Sequence, residues 1–260
     1  MRGRAPRSPL AVGPRGLCGA ARVQEPLATG SLARGPLLHS AFVILHSPSL
    51  SPTEARRVYD RVGASQDKQG WYEDAATDVL LHHGDWAAAG AVFEMGCGTG
   101  RLATQILPLA AEATYTGTDV SPVMVGLARE RLAPWADRAT VHLVDGGPPG
   151  APEASCDRFV STYVFDLLSE ADARGTLEAA RRMLRPGGLL CLAGLAPGHT
   201  AVSRAVAAGW RGLWRVAPTL VGGCRPVALL PLLGDGWDVV MHEQVAPWGV
   251  PSEALVARRL

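Results

Sequence analysis

The chain has 260 residues, of which 47% are hydrophobic and 19% charged, a composition ordinary for a globular domain with a sizeable core. Its 25 basic and 24 acidic side chains leave a net charge of +1, which gives no general affinity for nucleic acid or for an anionic membrane surface. Five cysteines are present without a Cys-x-x-Cys pair, so the sequence predicts neither a metal site nor a disulfide framework.

The first 50 residues differ from the rest of the chain. They contain six arginines and one acid, a net charge of +5, and they are rich in Pro, Gly, Ser and Ala. Such a segment is typical of a mitochondrial-type presequence, of a disordered extension or of translated upstream sequence. Its longest apolar run, 41–45, is far shorter than the roughly 20 residues that span a bilayer. We expect a cytoplasmic protein without a membrane span, or a mitochondrial matrix protein if 1–50 is a presequence.

From residue 51 onward, helices and strands are predicted to alternate. Ser51-Pro52 is a helix N-terminal signal, and it predicts a helix to Val62, followed by a second over 71–82. Strands that alternate with helices in this way favour a parallel sheet with crossover helices. The predicted strands are 91–95, 114–118, 140–144, 158–163 and 189–195, and the predicted helices between them are 101–110, 121–132 and 170–184.

The last part of the chain predicts a different arrangement. Helical pieces over 200–233 precede two strands, 237–243 and 254–258, which are expected to form a closing antiparallel hairpin. The predicted fold is therefore α/β, Rossmann-like, with a mostly parallel seven-stranded sheet and helices on both faces. The expected organisation is an extension over 1–50 and one domain over 51–260, divided into cap helices (51–90), a ligand-binding core (91–195), acceptor-side helices (196–233) and closing strands (234–260).

The first strand of the core ends in a glycine run. Gly96, Gly98 and Gly100 follow the apolar residues 91–95, and glycine at such a turn reaches positive φ and lets the backbone approach a ligand closely. Glu94 stands just before the first glycine. Its carboxylate would repel a pyrophosphate but would suit a cationic amino-acid group, so the sequence predicts a site for S-adenosylmethionine.

Three more motifs follow the glycine run in chain order, at the ends of predicted strands or just before one. Together with it they resemble the class I S-adenosylmethionine-dependent methyltransferases, of the small-molecule type related to ubiquinone- and menaquinone-biosynthesis enzymes, over roughly 55–260. The four motifs are Glu94-x-Gly96-x-Gly98-x-Gly100, Thr118-Asp119-Val120-Ser121-Pro122-Val123-Met124, Val144-Asp145-Gly146 and Leu184-Arg185-Pro186-Gly187-Gly188.

The resemblance implies a cofactor-binding role for the glycine run. The backbone of Gly96, Cys97, Gly98 and Gly100 is expected to lie under the methionine and ribose portions of the cofactor. Glu94 is expected near the cofactor's ammonium group, or to order the loop through hydrogen bonds.

The resemblance also implies contacts to the nucleoside. Asp119 is expected to accept hydrogen bonds from the ribose hydroxyls, although it could instead cap the following helix. Val120 or Met124 would flank the adenine. Asp145, followed by Gly146, is expected to accept from the adenine amino group, and the same Asp-Gly pair could form an ordinary turn.

Candidate catalytic residues follow the fourth and fifth predicted strands. The stretch 161–163, with Thr162 at its centre, is expected beside the sulfonium. Tyr163 and Asp166 could orient or deprotonate an acceptor, or Tyr163 could form the pocket wall while Asp166 begins a helix. His199 lies just past the fifth strand, where the acceptor pocket is expected.

The resemblance implies in-line methyl transfer to a small molecule, and the tryptophans and leucines of 200–233 favour an apolar or aromatic acceptor. Residues 161–164 read Ser-Thr-Tyr-Val and do not resemble the Asn-Pro-Pro-Tyr motif of nucleic-acid amino-group methylases, so no nucleic-acid substrate is expected. Two alternatives stay open: a non-catalytic S-adenosylmethionine-binding protein, and a dinucleotide-dependent oxidoreductase, since Gly98-x-Gly100-x-x-Ala103 also satisfies that fingerprint.

Overall fold

A computed structural model describes residues 49–260. The extension predicted for 1–50 lies outside the described residues, apart from its last two, and that prediction stays a prediction. No helix in the described part of the chain is long and apolar enough to cross a membrane.

Seven strands form a single mixed sheet in the order β3-β2-β1-β4-β5-β7-β6. The strands β1 to β5 pair in parallel, and β7 pairs antiparallel with both β5 and β6. The predicted α/β class, with a mostly parallel sheet and a closing antiparallel pair, is confirmed. The strands are β1 (Ala91–Met95), β2 (Thr114–Asp119), β3 (Ala139–Leu143), β4 (Cys156–Thr162), β5 (Leu184–Leu195), β6 (Trp237–Val245) and β7 (Ser252–Arg259).

Within residues 49–260, six α-helices surround the sheet, and their predicted positions are confirmed to within a few residues. Successive residues of a strand point to opposite faces, so Val92 and Phe93 of β1 belong to two different hydrophobic cores. The helices are α1 (Pro52–Val62), α2 (Gly70–His83), α3 (Ala103–Leu109), α4 (Pro122–Arg131), α5 (Glu170–Met183) and α6 (Ala201–Val216).

The strand β5 is longer than the sequence predicts. It begins at Leu184 instead of residue 189, because Leu184 already pairs with Cys156 of β4 ahead of an irregularity in the register. The Pro-Gly-Gly turn therefore lies within the strand rather than before it.

The helix α1 begins with a complete capping box. Ser51 accepts a hydrogen bond from the backbone of Glu54, and the Glu54 carboxylate accepts in return from the backbone N–H of Ser51 at 2.9 Å, which satisfies two N–H groups that the helix leaves open. The helix ends at Gly63, whose φ of +49° favours glycine. Only Ala55 and Val58 of α1 are buried.

Candidate active site

A cavity lies at the carboxyl ends of β1, β2 and β4, the edge at which open parallel sheets bind ligands. The glycine loop after β1 and residues 118–120 at the end of β2 line it from the sheet. Side chains of α1 and α2 line it from the cap, and residues 162–164, 167 and 168 line it beyond β4. The structure thus brings the predicted cofactor segments and residues 162 and 163 to one cavity, whereas no residue of the predicted acceptor-side helices, 196–233, lines it.

The glycine loop is hydrogen-bonded to the end of β2, and it leaves open space next to the backbone of Gly98. The backbone N–H groups of Gly96 and Cys97 donate to the carbonyl of Thr118 at 2.8 and 3.0 Å. A Cβ at Gly96 would lie 2.2 Å from Val164, whereas a Cβ at Gly98 would meet no atom within 4 Å. With φ of +52°, Gly98 provides a cradle in which a ligand can approach the backbone.

Gly100 has a different role from the one predicted. It does not line the cavity, and a Cβ there would lie 3.2 Å from the Cα of Ala128 in α4. The expectation that Gly100 lies under the cofactor is therefore corrected, because its φ of +76° and its contact with α4 make it a packing glycine.

Asp119 lines the cavity at the end of β2. Its Oδ2 accepts a hydrogen bond from the N–H of Gly98 at 3.0 Å, and its Oδ1 accepts from the N–H of Ser121 at 2.8 Å. Burial raises the pKa of this carboxyl above its ordinary value, against the effect of these backbone donors. The helix cap is Ser121, whose Oγ accepts from the N–H of Met124, so the alternative that Asp119 caps α4 is wrong. Each carboxylate oxygen keeps a further lone pair for a ligand hydroxyl.

Residues predicted to surround the adenine lie along one part of the cavity. Val120, Met124 and Gly146 line it, as does Val144. Asp145 between them is exposed and does not line the cavity. Its predicted contact with the adenine amino group stays a prediction.

Glu94 lines the cavity from within β1 and is 1% exposed. Its carboxyl group accepts a hydrogen bond of 2.6 Å from the hydroxyl of Tyr115. Burial raises the pKa of Glu94 to about 8, although the Tyr115 hydrogen bond acts in the opposite direction. The group is thus mainly neutral at pH 7, and a cationic ligand beside it would favour the ionised form.

Cys97 lies inside the glycine loop and is buried. Burial, followed by the nearby carboxyls of Glu94 and Asp119, raises the pKa of its thiol well above the ordinary value. A thiol in this state is neither a nucleophile nor a metal ligand. Within the described residues, no group of three or more His, Cys, Asp and Glu side chains could hold a metal ion.

Acidic residues of the cap form hydrogen bonds with the glycine loop and with α4. The sequence patterns described above did not identify these residues. Asp60 accepts a hydrogen bond of 2.6 Å from the Oγ of Ser121. Asp67 accepts from Thr99 of the glycine loop and from Arg131 of α4, both at 2.6 Å. Asp60, Asp67 and Asp74 recur every seven residues, and this spacing is the pattern in the sequence that could have indicated their shared role.

A third cap contact involves Arg101, directly after the glycine run. Its guanidinium donates to Asp74 and lies 3.4 Å from a carboxylate oxygen of Glu73. Glu73 also accepts from Gln66 at 3.4 Å and lines the cavity. Burial raises the pKa of Glu73 to about 7, although the charge of Arg101 lowers it. The cavity therefore holds a second carboxyl whose pKa is raised by burial.

Tyr163 lines the cavity beside Thr162, as predicted, but its hydroxyl is engaged elsewhere. The hydroxyl donates to the Oγ of Ser252 in β7 at 2.9 Å, and burial raises the pKa of Tyr163 well above its ordinary value. Its ring contacts Tyr72 edge to face, with the centroids 5.8 Å apart. Tyr163 is thus part of the cavity wall, and its predicted role in orienting or deprotonating an acceptor stays a prediction.

The two other predicted catalytic side chains do not line the cavity. Asp166 is buried and its Oδ2 accepts from the backbone N–H of Leu195 at 3.1 Å, while burial raises the pKa of this carboxyl to about 7. It does not begin a helix, since α5 starts at Glu170. His199 is exposed before α6, and its backbone N–H donates to Ser203. Their predicted catalytic roles stay predictions, without support from the lining of the cavity.

Comparisons with known proteins agree with this geometry. Residues 93–190 match the family described as "Methyltransferase domain". The demethylmenaquinone methyltransferase of Deinococcus radiodurans is 27% identical over 124 residues, which cover 48% of this chain and 48% of that protein. The chain spans less than half the length of the curated relatives it matches.

Two solved structures share the fold. The [4+2]-cyclase SpnF aligns with a TM-score of 0.63 at 17% identity, covering 82% of this chain and 98% of that one. The N-methyltransferase NodS from Bradyrhizobium japonicum, in complex with S-adenosylhomocysteine, aligns with a TM-score of 0.61 at 19% identity, covering 79% and 98%.

The parallel sheet, the glycine cradle and the acidic residue at the end of β2 define a Rossmann-like nucleotide-binding domain. Residues 93–190 match a methyltransferase domain family, so this part of the chain is similar to the class I S-adenosylmethionine-dependent methyltransferases, whose cofactor is S-adenosylmethionine. The residues present fit that cofactor, because Gly98 leaves room above its backbone and Asp119 keeps free lone pairs.

Proposed function

We propose that this protein transfers the methyl group of S-adenosylmethionine to a small acceptor with an apolar or aromatic body, by in-line displacement. The observation that carries the proposal is the single cavity in which the open Gly98 cradle and the Asp119 carboxylate meet the aromatic wall at Tyr59 and Tyr163. A nucleotide-shaped ligand and an apolar partner would share this space.

On the cofactor side, each residue has a binding role. Asp119 would accept from the ribose hydroxyls while the N–H groups of Gly98 and Ser121 hold it in place. Glu94 would ionise beside the ammonium group, and Val120 and Met124 would flank the adenine. The bound cofactor supplies a methyl group already activated as a sulfonium, so these residues chiefly align it.

On the acceptor side, the lining is mainly apolar. Leu50, Tyr59, Leu167 and Leu168 line the cavity together with Tyr163. Such walls exclude water and hold an apolar body close to the methyl group, and alignment of this kind lowers the barrier of a displacement between two bound molecules. This mechanism requires no side chain as base.

Calorimetry followed by an acceptor panel tests the proposal. We expect the full chain to bind both S-adenosylmethionine and S-adenosylhomocysteine, and to form S-adenosylhomocysteine when aromatic alcohols, amines or thiols are added. Failure to bind either molecule would overturn the proposal, and binding of NAD(H) in their place would favour the oxidoreductase.

A second candidate is a non-catalytic S-adenosylmethionine-binding protein with a regulatory or scaffolding role. It is favoured if the acceptor requires deprotonation by a side chain, because the hydroxyl of Tyr163 is bound to Ser252 and neither Asp166 nor His199 lines the cavity. Binding of both ligands without turnover across the whole panel would support it.

A further inference from the structure

A groove separate from the cavity gathers three arginines. Arg211 and Arg215 project from α6, and Arg225 follows in the segment after it. We call this surface the arginine groove, and its polar lining is Ser49, Ser169, Glu170, Arg211, Arg215 and Arg225. Neither the cofactor nor the acceptor role proposed above uses these side chains.

The arginines of the arginine groove outnumber its carboxylates. Its single acid, Glu170, forms an ion pair of 2.9 Å with Arg174. Within residues 49–260, no carboxylate lies within ion-pair distance of Arg211, Arg215 or Arg225.

Arg225 is held in place without an ionic partner. Its guanidinium donates to the carbonyl of Leu168 and lies over the ring of Trp214, 5.9 Å from the centroid. Burial lowers the pKa of Arg225; the charge of Asp166 raises it, the charge of Arg211 lowers it, and the charge of Glu170 raises it. Positive charges that repel one another in a partly buried groove are stabilised by an anion.

The chemistry of the arginine groove suits phosphate. Guanidinium groups bind phosphate oxygens through paired, charge-assisted hydrogen bonds. Ser169, the N-cap of the 14-residue helix α5, lies in the same groove, and its hydroxyl donates to the carboxylate of Asp172. Three guanidinium groups match a dianion better than a single carboxylate.

The arginine groove adjoins the acceptor side of the cavity. Leu50 and Leu168 line the cavity, and their chain neighbours Ser49 and Ser169 line the arginine groove. Since neighbouring Cα atoms are about 3.8 Å apart, the two surfaces are separated by one residue at two places. The two surfaces are therefore contiguous along the chain at these two places.

We propose that the arginine groove binds a phosphate-type group carried by the acceptor, whose apolar body occupies the cavity. This inference rests on the proposed methyl transfer for the identity of the ligand, whereas anion binding by the groove does not depend on it. A free phosphate-type ion has the same chemistry, and the experiment separates the two sources.

The first arm measures binding of inorganic pyrophosphate to the full chain by calorimetry. We expect the variant Arg211→Ala/Arg215→Ala to bind about tenfold or more weakly for each arginine removed. The variant Arg204→Ala/Arg182→Ala removes the same charge from exposed sites outside the groove and is expected to bind as the wild type does. Equal binding by both variants would overturn the anion site.

The second arm compares 1-naphthyl phosphate with 1-naphthol and with inorganic phosphate, in the presence of S-adenosylhomocysteine. We expect 1-naphthyl phosphate to bind at least about tenfold more tightly than either, and Arg211→Ala/Arg215→Ala to abolish the gain. If it binds no more tightly than inorganic phosphate, the groove is a site for a free anion and the acceptor assignment is overturned. If the protein binds pyrophosphate but does not bind S-adenosylhomocysteine, the anion site stands and the proposed methyl transfer is overturned.

Discussion

At the scale of single residues, the carboxyl group of Glu94 shows how burial sets chemistry. The side chain lies inside β1, with a hydrogen bond from Tyr115 and a pKa raised to about 8 from 4.5. The folded protein therefore binds this proton more tightly than the unfolded chain. The stability that this provides is complete below pH 4.5 and is lost as the pH rises through 8.

Replacing Glu94 by Gln is expected to remove this pH dependence. Relative to the wild type, Glu94→Gln should be more stable at pH 9 than at pH 5, by on the order of a few kcal/mol. The free energy of unfolding in urea at both pH values measures the effect. Glu73 and Asp166 also have a pKa raised to about 7. They too make the folded protein less stable as the pH rises, so Glu94→Gln keeps part of the wild-type dependence of stability on pH.

The matched control for this measurement is Glu112→Gln, which changes an exposed glutamate. We expect it to follow the wild type at both pH values. A constant difference between Glu94→Gln and wild type across the range would show that Glu94 is ionised in the folded protein.

Asp119 is the residue whose loss should affect the cofactor most directly. Asp119→Ala removes the proposed ribose contact and also frees the N–H groups of Gly98 and Ser121. We expect S-adenosylhomocysteine to bind more weakly by about 1–3 kcal/mol, measured by calorimetry. Asp78→Ala, an exposed change on α2, is the control, and unchanged affinity in Asp119→Ala would leave the carboxylate as a loop support only.

Among the secondary-structure elements, the cap helices are held to the rest of the domain by hydrogen bonds and ion pairs of acidic side chains. The helix α2 is packed into the core through Ala76 and Leu80, both fully buried. By contrast, α1 buries only Ala55 and Val58 and depends more on polar contacts. The link from Asp67 to Thr99 and Arg131 fastens the segment between these helices to the glycine loop.

Asp67→Asn should therefore weaken both stability and cofactor binding. Burial opposes ionisation of Asp67, but the hydrogen bonds of Arg131 and Thr99 outweigh it and lower its pKa. This stabilisation is present above the unfolded pKa and is lost as the pH falls, so the variant should lose about 1 kcal/mol at pH 7 and less near pH 3. Urea unfolding at both values measures it, with the exposed Asp137→Asn as control. A loss that is equal at the two values would contradict the ionic origin.

At the scale of the whole molecule, one sheet joins two hydrophobic cores. Val92 and Phe93 of β1 face opposite cores, as do Cys191 and Leu192 of β5. Because the strands are shared, neither core can open while the other keeps its packing. The insertion of β7 between β5 and β6 also brings the last strand of the chain next to the acceptor wall, through the contact between Ser252 and Tyr163.

The domain over 49–260 should therefore unfold in a single cooperative transition. S-adenosylhomocysteine at a hundred times its Kd should stabilise it by about 2.7 kcal/mol and should shift the whole transition to higher temperature. Calorimetric scans with and without the ligand test this. Two separate transitions, of which the ligand moves only one, would contradict it.

Local patterns in the sequence were enough to predict the helices and strands of the domain and the glycine loop after β1. Alternating strands and helices, the glycines after 91–95 and Asp119 at the end of β2 are local patterns, set by neighbours in the chain. Parallel strands bring their carboxyl ends to one edge, so the shared position of the glycine loop and Asp119 also followed from the sequence.

The tertiary structure alone decided which side chains face the cavity. Tyr163, Asp166 and His199 follow strands in the expected way, but the side-chain directions set by packing turn the first toward Ser252 and leave the other two outside the cavity. The acids of the cap, the raised pKa of Glu94 and the arginine groove likewise depend on residues far apart in the chain. Burial and charge are properties of the surroundings, and only folding brings those surroundings together.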